Sequence, residues 1–317
     1  MKIAIIHDWD VVPEQEITWM DGLAAAVKEL GKRHQVRFFV CGKTEYILPH
    51  PYFDIYVSTN IKDDVGDYAP DVILMWADCT RPNAEPLSEL GIPMALCFAG
   101  GNTQGETVRY FDHVFVESEV YKQRFEVQGV SVSTAFGTNT ELFQPLTGQQ
   151  KVFDVLFPAT FAEWKRHKLF SRSIQGLRSC AVGYMYFDHE VDCWQDCEKV
   201  GSLVLPHVSA MALKRLYGAS KCVVVTSTAQ GGSQRTVLEA MAMNIPVIVM
   251  SDSDKTTEYA LEGGGYICDP EPAKIREKIE KVMNEPVKTR DYILSKWSHI
   301  IYADNLEEKL LELCSNI

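Results

Sequence analysis

The sequence predicts an α/β protein built from two Rossmann-like domains, and three observations carry that prediction. Its 317 residues exceed what one small core usually holds, so two domains of roughly 150 residues each are expected. Short β-branched or aromatic runs alternate with helix-period segments along the whole chain, as in parallel sheets joined by crossover helices. The clearest unit is Val223 to Met250, VVVTSTAQGGSQRTVLEAMAMNIPVIVM, which joins strand, glycine turn, helix and second strand. Composition narrows the class: 46% hydrophobic and 23% charged residues describe a globular chain. No apolar run approaches the ~20 residues of a membrane span. Met1-Lys2 leads straight into the first strand without a signal-peptide layout, so a cytoplasmic protein with no transmembrane segment is expected. Nine cysteines, an odd number, argue for reduced thiols. Cys193 and Cys197 are the close pair, but their spacing is not that of a zinc ribbon and nothing answers them, so no metal site is expected. A formal charge of −12 disfavours non-specific binding to nucleic acid or anionic membranes.

In chain order, Ile3 to Ile6 reads as the first strand, and the loop from His7 to Glu16 should open at the carboxyl edge of the sheet. Asp8, Asp10, Glu14 and Glu16 make that loop acidic. It is either a solvated loop, or Asp8 or Asp10 serves as base for an acceptor hydroxyl. Thr18 to Leu30 carries the stripe Leu23, Ala26, Val27 and Leu30 and should be a helix that stops at Gly31. Strands follow at 36–40, 53–57, 71–76, 94–98 and 113–118, then a helix from Tyr121 to Gln128 capped by Ser118. Pro145 to Lys151 is poor in apolar side chains and reads as a linker. The second domain should open with a strand at 153–157, followed by the basic run Lys165-Arg166-His167-Lys168, short strands within 182–186 and 203–205, and a helix at 211–217. After the strand 223–226, Gly231-Gly232-Ser233 supplies a turn that opens a helix. The unpaired N–H groups from Gly232 to Gln234 and the charge of Arg235 would favour an anion there. Glu239 lies one turn beyond Arg235 on the same face; an ordinary Arg–Glu pair is the plain alternative. A helix at 251–259, a strand within 263–268, an amphipathic helix at 275–283 and closing helices at 291–301 and 304–314 complete the reading, with Trp297 and Tyr302 as packing residues.

The string TVLEAMAMNIPVIVMSDSDKTTEYALEGGGYICDP resembles the nucleotide-sugar-binding half of GT-B glycosyltransferases, in particular the retaining glycosyltransferase family 4, also called glycosyl transferases group 1. HVFVES and GTNTELFQP resemble that family's last N-domain strand and the segment leading to its linker. The resemblance covers nearly the whole chain and is strongest at 113–145 and 204–270. It implies two Rossmann-like domains facing across an interdomain cleft: an acceptor-side domain at 1–145, a linker at 146–151, a nucleotide-sugar domain at 152–295, and a tail at 296–317 crossing back.

On that resemblance Glu239 binds the donor ribose, while Lys165 and Arg235 hold the diphosphate, with Arg166 helping because Thr160 replaces the family's Arg. His207 borders the base. Gly231, Gly232, Ser233, Gln234 and Thr236 meet the sugar or diphosphate. The family's first Glu is replaced by Gly231 beside Gln230, a degenerate Glu-x7-Glu motif, and no His occupies the loop at 99–103. Gln230 therefore joins Asp8 and Asp10 as candidate catalytic residues. The implied reaction moves a sugar from a nucleotide-diphosphate donor, a UDP-sugar in preference to a GDP-sugar, to a hydroxyl acceptor. It uses neither metal nor other cofactor and retains configuration; Gly231 leaves inversion open. The acceptor is a glycan, a lipid, a small molecule or a hydroxymethylated nucleic acid base. The alternatives are a catalytically degenerate nucleotide-sugar-binding partner protein and a nucleotide-sugar 2-epimerase-like enzyme.

Overall fold

The computed structural model describes residues 1–10, 21–77, 83–98, 106–185, 191–229, 234–253, 260 and 262–315. The chain folds as two compact units, one of Met1–Gly137 with His299–Ile317, the other of Thr138–Ser298.

The first unit follows the order β1 (Lys2–Asp10), α1 (Asp21–Gly31), β2 (Gln35–Cys41), β3 (Tyr46–Pro49), β4 (Asp54–Ser58), α2 (Ile61–Tyr68), β5 (Val72–Ala77), α3 (Ala84–Ser88), β6 (Met94–Phe98), β7 (His113–Val116), α4 (Glu119–Glu126) and β8 (Val132–Thr134). Its strands line up as β3-β4-β2-β1-β5-β6-β7-β8. All the pairs are parallel except β3 with β4. Every residue of β5 and β6 is buried, which is why both read as unbroken apolar runs: apolar layers cover both faces of the sheet. Gly31 ends α1 where a Cβ would lie 2.0 Å from the Tyr52 carbonyl oxygen, so the chain can pass there only as glycine.

Three expectations change in this unit. The first strand does not stop at Ile6; His7 stays in the sheet opposite Val40 and Trp76, fully buried, its ring stacked on Trp76 at 4.9 Å. Asp10 pairs with Cys41 after a register shift, so Asp8 and Asp10 sit on the end of a strand rather than in a loop, and their side chains lie outside the described residues. β3 had no signature because its four residues alternate between half-buried and exposed on an edge. Ser118 occupies the cap position of α4 in extended backbone, but its hydroxyl makes no capping bond.

The second unit runs β9 (Phe153–Pro158), α5 (His167–Ser173), β10 (Ser179–Val182), α6 (Val191–Glu198), β11 (Leu203–Leu205), α7 (Ala210–Gly218), β12 (Ser220–Val225), α8 (Arg235–Ala242), β13 (Val247–Met250), β14 (Tyr266–Cys268), α9 (Pro272–Val282) and α10 (Arg290–Lys296). The sheet order is β11-β10-β9-β12-β13-β14, all parallel. That is the doubly wound order in which the chain reverses direction between its first and fourth strands, here β9 and β12. The strand sought within 182–186 ends at Val182, where Gly183 brings its backbone against Ala159: a Cβ would fall 1.9 Å from the Ala159 oxygen. Most of the helix sought at 251–259 lies outside the described residues.

This unit begins at Thr138 rather than after 145. The Arg290 guanidinium gathers the carbonyls of Thr140, Phe143 and Ala242 at 2.8–3.0 Å, and the Phe143 ring meets the edge of Tyr217 at 5.8 Å. The closing helix, α11 (His299–Ser315), belongs to the first unit, where Tyr302, Ala303, Leu306 and Leu310 join the core beneath α1. Arg33 donates to Asp304 at 2.9 Å, and the Tyr302 hydroxyl meets the Cys97 thiol at 2.8 Å. The break between the last two helices therefore falls at Trp297-Ser298, not between 301 and 304, and there the Trp297 carbonyl accepts the Thr138 N–H at 2.9 Å. Among the described residues no helix is long and apolar enough to cross a membrane.

Candidate functional site

Doubly wound sheets bind ligands outside the carboxyl ends of the strands at the point of reversal. In the second unit those ends are Pro158 of β9 and Val225 of β12. The segments that leave them are tied together. The Thr226 hydroxyl donates to the Lys165 carbonyl at 2.5 Å, and the Thr228 N–H donates to the Trp164 carbonyl at 3.0 Å.

Arg166 is the main clamp. It takes the left-handed backbone conformation, φ 57° and ψ 50°, which costs a non-glycine residue about 1 kcal/mol or more. Its guanidinium donates to the carbonyls of Thr226 and Ser227 and forms a two-toothed ion pair with Asp252 at 2.7 and 2.8 Å. All of its nitrogens are engaged in holding the loop, so the expectation that it assists at a diphosphate is corrected. Nor is the run Lys165 to Lys168 a solvated basic face. Lys165 and His167 are both buried, and only Lys168 is exposed. The His167 ring lies between Phe157 and Phe161, at 4.8 and 5.0 Å. Burial pushes its pKa down to about 3, with the neighbouring Lys165 charge adding to the effect and the Ala162 backbone opposing it, so the ring is neutral at physiological pH.

Lys165 directs its ammonium to the side-chain oxygen of Gln234, the residue that caps α8. Lys165 thus reaches from the end of β9 to the start of the helix that follows β12. From there α8 presents Arg235 and Thr236 in its first turn and Glu239 one turn deeper. The Thr236 hydroxyl is buried with no hydrogen-bond partner among the described residues. Glu239 is 5% exposed and accepts a hydrogen bond from the Tyr217 hydroxyl at 2.7 Å. Burial raises the pKa of Glu239, while the Tyr217 bond and the Arg235 charge oppose that rise. The Tyr217 phenol is itself pushed well above its ordinary value, by burial first and by the Glu239 charge second. Such a carboxylate is under-solvated and has lone pairs left to accept further donors.

The structure therefore brings together Lys165, Gln234, Arg235, Thr236 and Glu239. Gln230, Gly231, Gly232 and Ser233 lie outside the described residues. His207 is on the exposed loop between β11 and α7, its ring 5.9 Å from that of Tyr184. Because β11 is two strands from β9, roughly 10 Å at ordinary strand spacing, only a ligand extending along the sheet edge would reach it. Tyr217 was missed as a site residue. Its signal was present, since a phenol on the inward stripe of a helix needs a buried partner.

Residues 139–296 match the family described as glycosyl transferases group 1. No curated protein sequence matches the chain. Among solved structures, the sucrose-phosphate synthase from Thermosynechococcus elongatus superposes with a TM-score of 0.79 at 14% identity over 100% of both chains. HepE of Anabaena, solved in complex with UDP and glucose, gives 0.73 at 14% identity over 98% of this chain and 100% of that one. A UDP-GlcNAc 2-epimerase from Methanocaldococcus jannaschii gives 0.59 at 13% identity, over 98% and 100%. At such identities these likenesses speak for the fold, the two-domain GT-B arrangement of Rossmann-like units.

Proposed function

Because residues 139–296 belong to the glycosyl transferases group 1 family, we propose that this glycosyltransferase moves a sugar from a nucleotide-diphosphate donor to a hydroxyl acceptor in the cytoplasm. The observation that carries the reading is the placement of Lys165 and Glu239. A buried ammonium stands at the point where the sheet order reverses, and a buried carboxylate follows on the helix that starts there. Lys165, Arg235 and the amino end of α8 would neutralise the diphosphate as it leaves, which is the work a metal does in other transferases. No metal and no further cofactor is then required. Glu239 would accept the two ribose hydroxyls, and Thr236 offers a hydroxyl to the same ligand.

A UDP-sugar is preferred over a GDP-sugar, in keeping with the UDP held by the Anabaena structure of the same fold. Retention of configuration is what the family resemblance favours, although Gly231 stands at the position of the family's first Glu. Asp8 or Asp10 is proposed to draw the proton from the acceptor, which is a glycan, a lipid, a small molecule or a hydroxymethylated base, and Gln230 to border the donor sugar.

The test incubates the protein with a panel of UDP- and GDP-sugars and follows nucleotide release, with calorimetry of UDP binding to wild type and to Glu239→Ala. Release of UDP together with weakened binding in the variant is expected. An unchanged affinity removes Glu239 from the donor site, and binding without any release leaves a nucleotide-sugar-binding partner protein instead. The likeness to the 2-epimerase supports a second reading, which predicts isomerised UDP-sugar in the same incubations.

A further inference from the structure

Arg166 joins two elements. It follows the tight turn Glu163–Lys165 and precedes α5, and it makes the connection in the left-handed backbone region that glycine enters most easily. An arginine gains nothing from that backbone, so the reason for it lies in the side chain. Strained residues of this kind gather at functional sites, held there by what surrounds them.

Three strand ends meet on this residue, which itself follows β9. Its guanidinium donates to the carbonyls of Thr226 and Ser227, just past β12, and to both carboxylate oxygens of Asp252, just past β13. In return the Thr226 hydroxyl donates to the Lys165 carbonyl at 2.5 Å, and the Thr228 N–H to the Trp164 carbonyl at 3.0 Å. Lys165 lies inside this frame: Thr226 holds its carbonyl, the Ala162 carbonyl accepts its N–H at 3.0 Å, and its side chain reaches Gln234 at the start of α8. Where the Lys165 ammonium stands relative to α8 therefore depends on how firmly the segment after β9 is tied to the segment after β12. Arg166 and Thr226 make that tie in both directions.

We propose that Arg166 is a positioning residue for donor recognition: without touching the nucleotide, it locks the segments after β9, β12 and β13 to one another and so fixes the Lys165 ammonium where the diphosphate is received. The assignment rests on the glycosyl-transfer reading, in which Lys165 meets that diphosphate. A lysine cannot take the place of Arg166, because one ammonium does not face two carbonyls and both oxygens of a carboxylate at once.

The test compares the full chain with its Arg166→Gly, Arg166→Lys and Asp252→Asn variants by calorimetry with UDP and with uridine, and by amide exchange at Thr228, whose N–H joins two of the tied segments. Urea unfolding shows which variants fold. Arg166→Gly should bind UDP about ten-fold to a hundred-fold more weakly, the cost of a misplaced charged group, and uridine, which has no diphosphate, as wild type does. Its Thr228 amide should exchange about ten-fold faster or more. Arg166→Lys should resemble it, and Asp252→Asn, which removes only a half-exposed partner, should lose about three-fold for UDP alone. Equal weakening of UDP and uridine, an unchanged UDP affinity, or an unchanged Thr228 exchange each overturns the proposal. Should Arg166→Gly fail to fold, Asp252→Asn carries the same comparison. If UDP and uridine behave as expected while wild type releases no UDP from any UDP-sugar, the positioning role stands and the transfer reading falls. Release by wild type with Arg166→Gly unaffected leaves the transfer reading and removes the positioning role.

Discussion

Replacing Tyr217 by phenylalanine removes a single hydroxyl from the interior of the second unit. The ring would keep its edge contact with Phe143, so the packing is preserved while Glu239 loses the donor at 2.7 Å. A hydrogen bond to an ionised group contributes about 1.5–3 kcal/mol, and each 1.36 kcal/mol moves a pKa by about one unit. Burial already raises the pKa of Glu239, held back by Tyr217 on α7 and Arg235 on its own helix. Losing Tyr217 should lift it further. If an ionised Glu239 accepts the donor ribose, UDP should bind Tyr217→Phe more weakly towards the acid end of the titration, by at most about ten-fold to a hundred-fold, the worth of that bond, and the gap should close as pH rises. Calorimetric titration of UDP at several pH values between 6 and 9 reads this directly, with Glu239→Gln expected to bind weakly at every pH. Equal affinities for wild type and Tyr217→Phe, or a loss of the same size at every pH, would refute the reasoning.

Lys165→Met should lower turnover about a hundred-fold with little change in acceptor KM, because the ammonium is assigned to the leaving diphosphate; parallel losses in both parameters would speak against that role. At Asp154, burial pushes the carboxyl pKa up, but the bonds from Arg178 and Lys221 outweigh it and hold the carboxyl well below the usual range. The stability this gives is fully present above the ordinary carboxylate pKa near 4 and is lost as pH falls through the folded value. Asp154→Asn should therefore cost about 1–3 kcal/mol in urea unfolding at pH 7, part of the ion pairing being solvent-screened, and nothing at strongly acid pH. His113 and His167 are depressed by burial, to about 4 and about 3. The unfolded chain takes up their protons first, so the urea midpoint should begin to fall as pH drops below ~6.5, and His167→Phe should flatten that limb. A midpoint constant from pH 7 to 4 would contradict it.

The strands that read most clearly in the sequence, β5, β6 and β12, are those buried on both faces. Nothing but apolar side chains suits such a position, so the signal is local. β3 and β8, of four and three residues, were not legible because an edge strand takes its identity from the neighbour it pairs with. The same division runs through the candidate site. Lys165, Gln234, Arg235 and Glu239 could be named from residue type, spacing and family likeness. That Tyr217 serves Glu239, and that Arg166 serves the loop by way of Asp252, could not, since those partners lie 22 and 86 residues apart in the chain.

By itself, then, the sequence determined the periodicities: alternating strands and helices, a helix opening after a glycine turn, and a charge pattern on that helix. All of these follow from interactions within a few residues of chain. Tertiary structure decided which partners each charged group takes. Arg166 and Lys165 are adjacent and alike in charge, yet one is spent on Asp252 and strand-end carbonyls while the other reaches across to the cap of α8. The physical reason is that burial and hydrogen-bond partnership arise from segments distant in the chain, and those two quantities set what a charge can do.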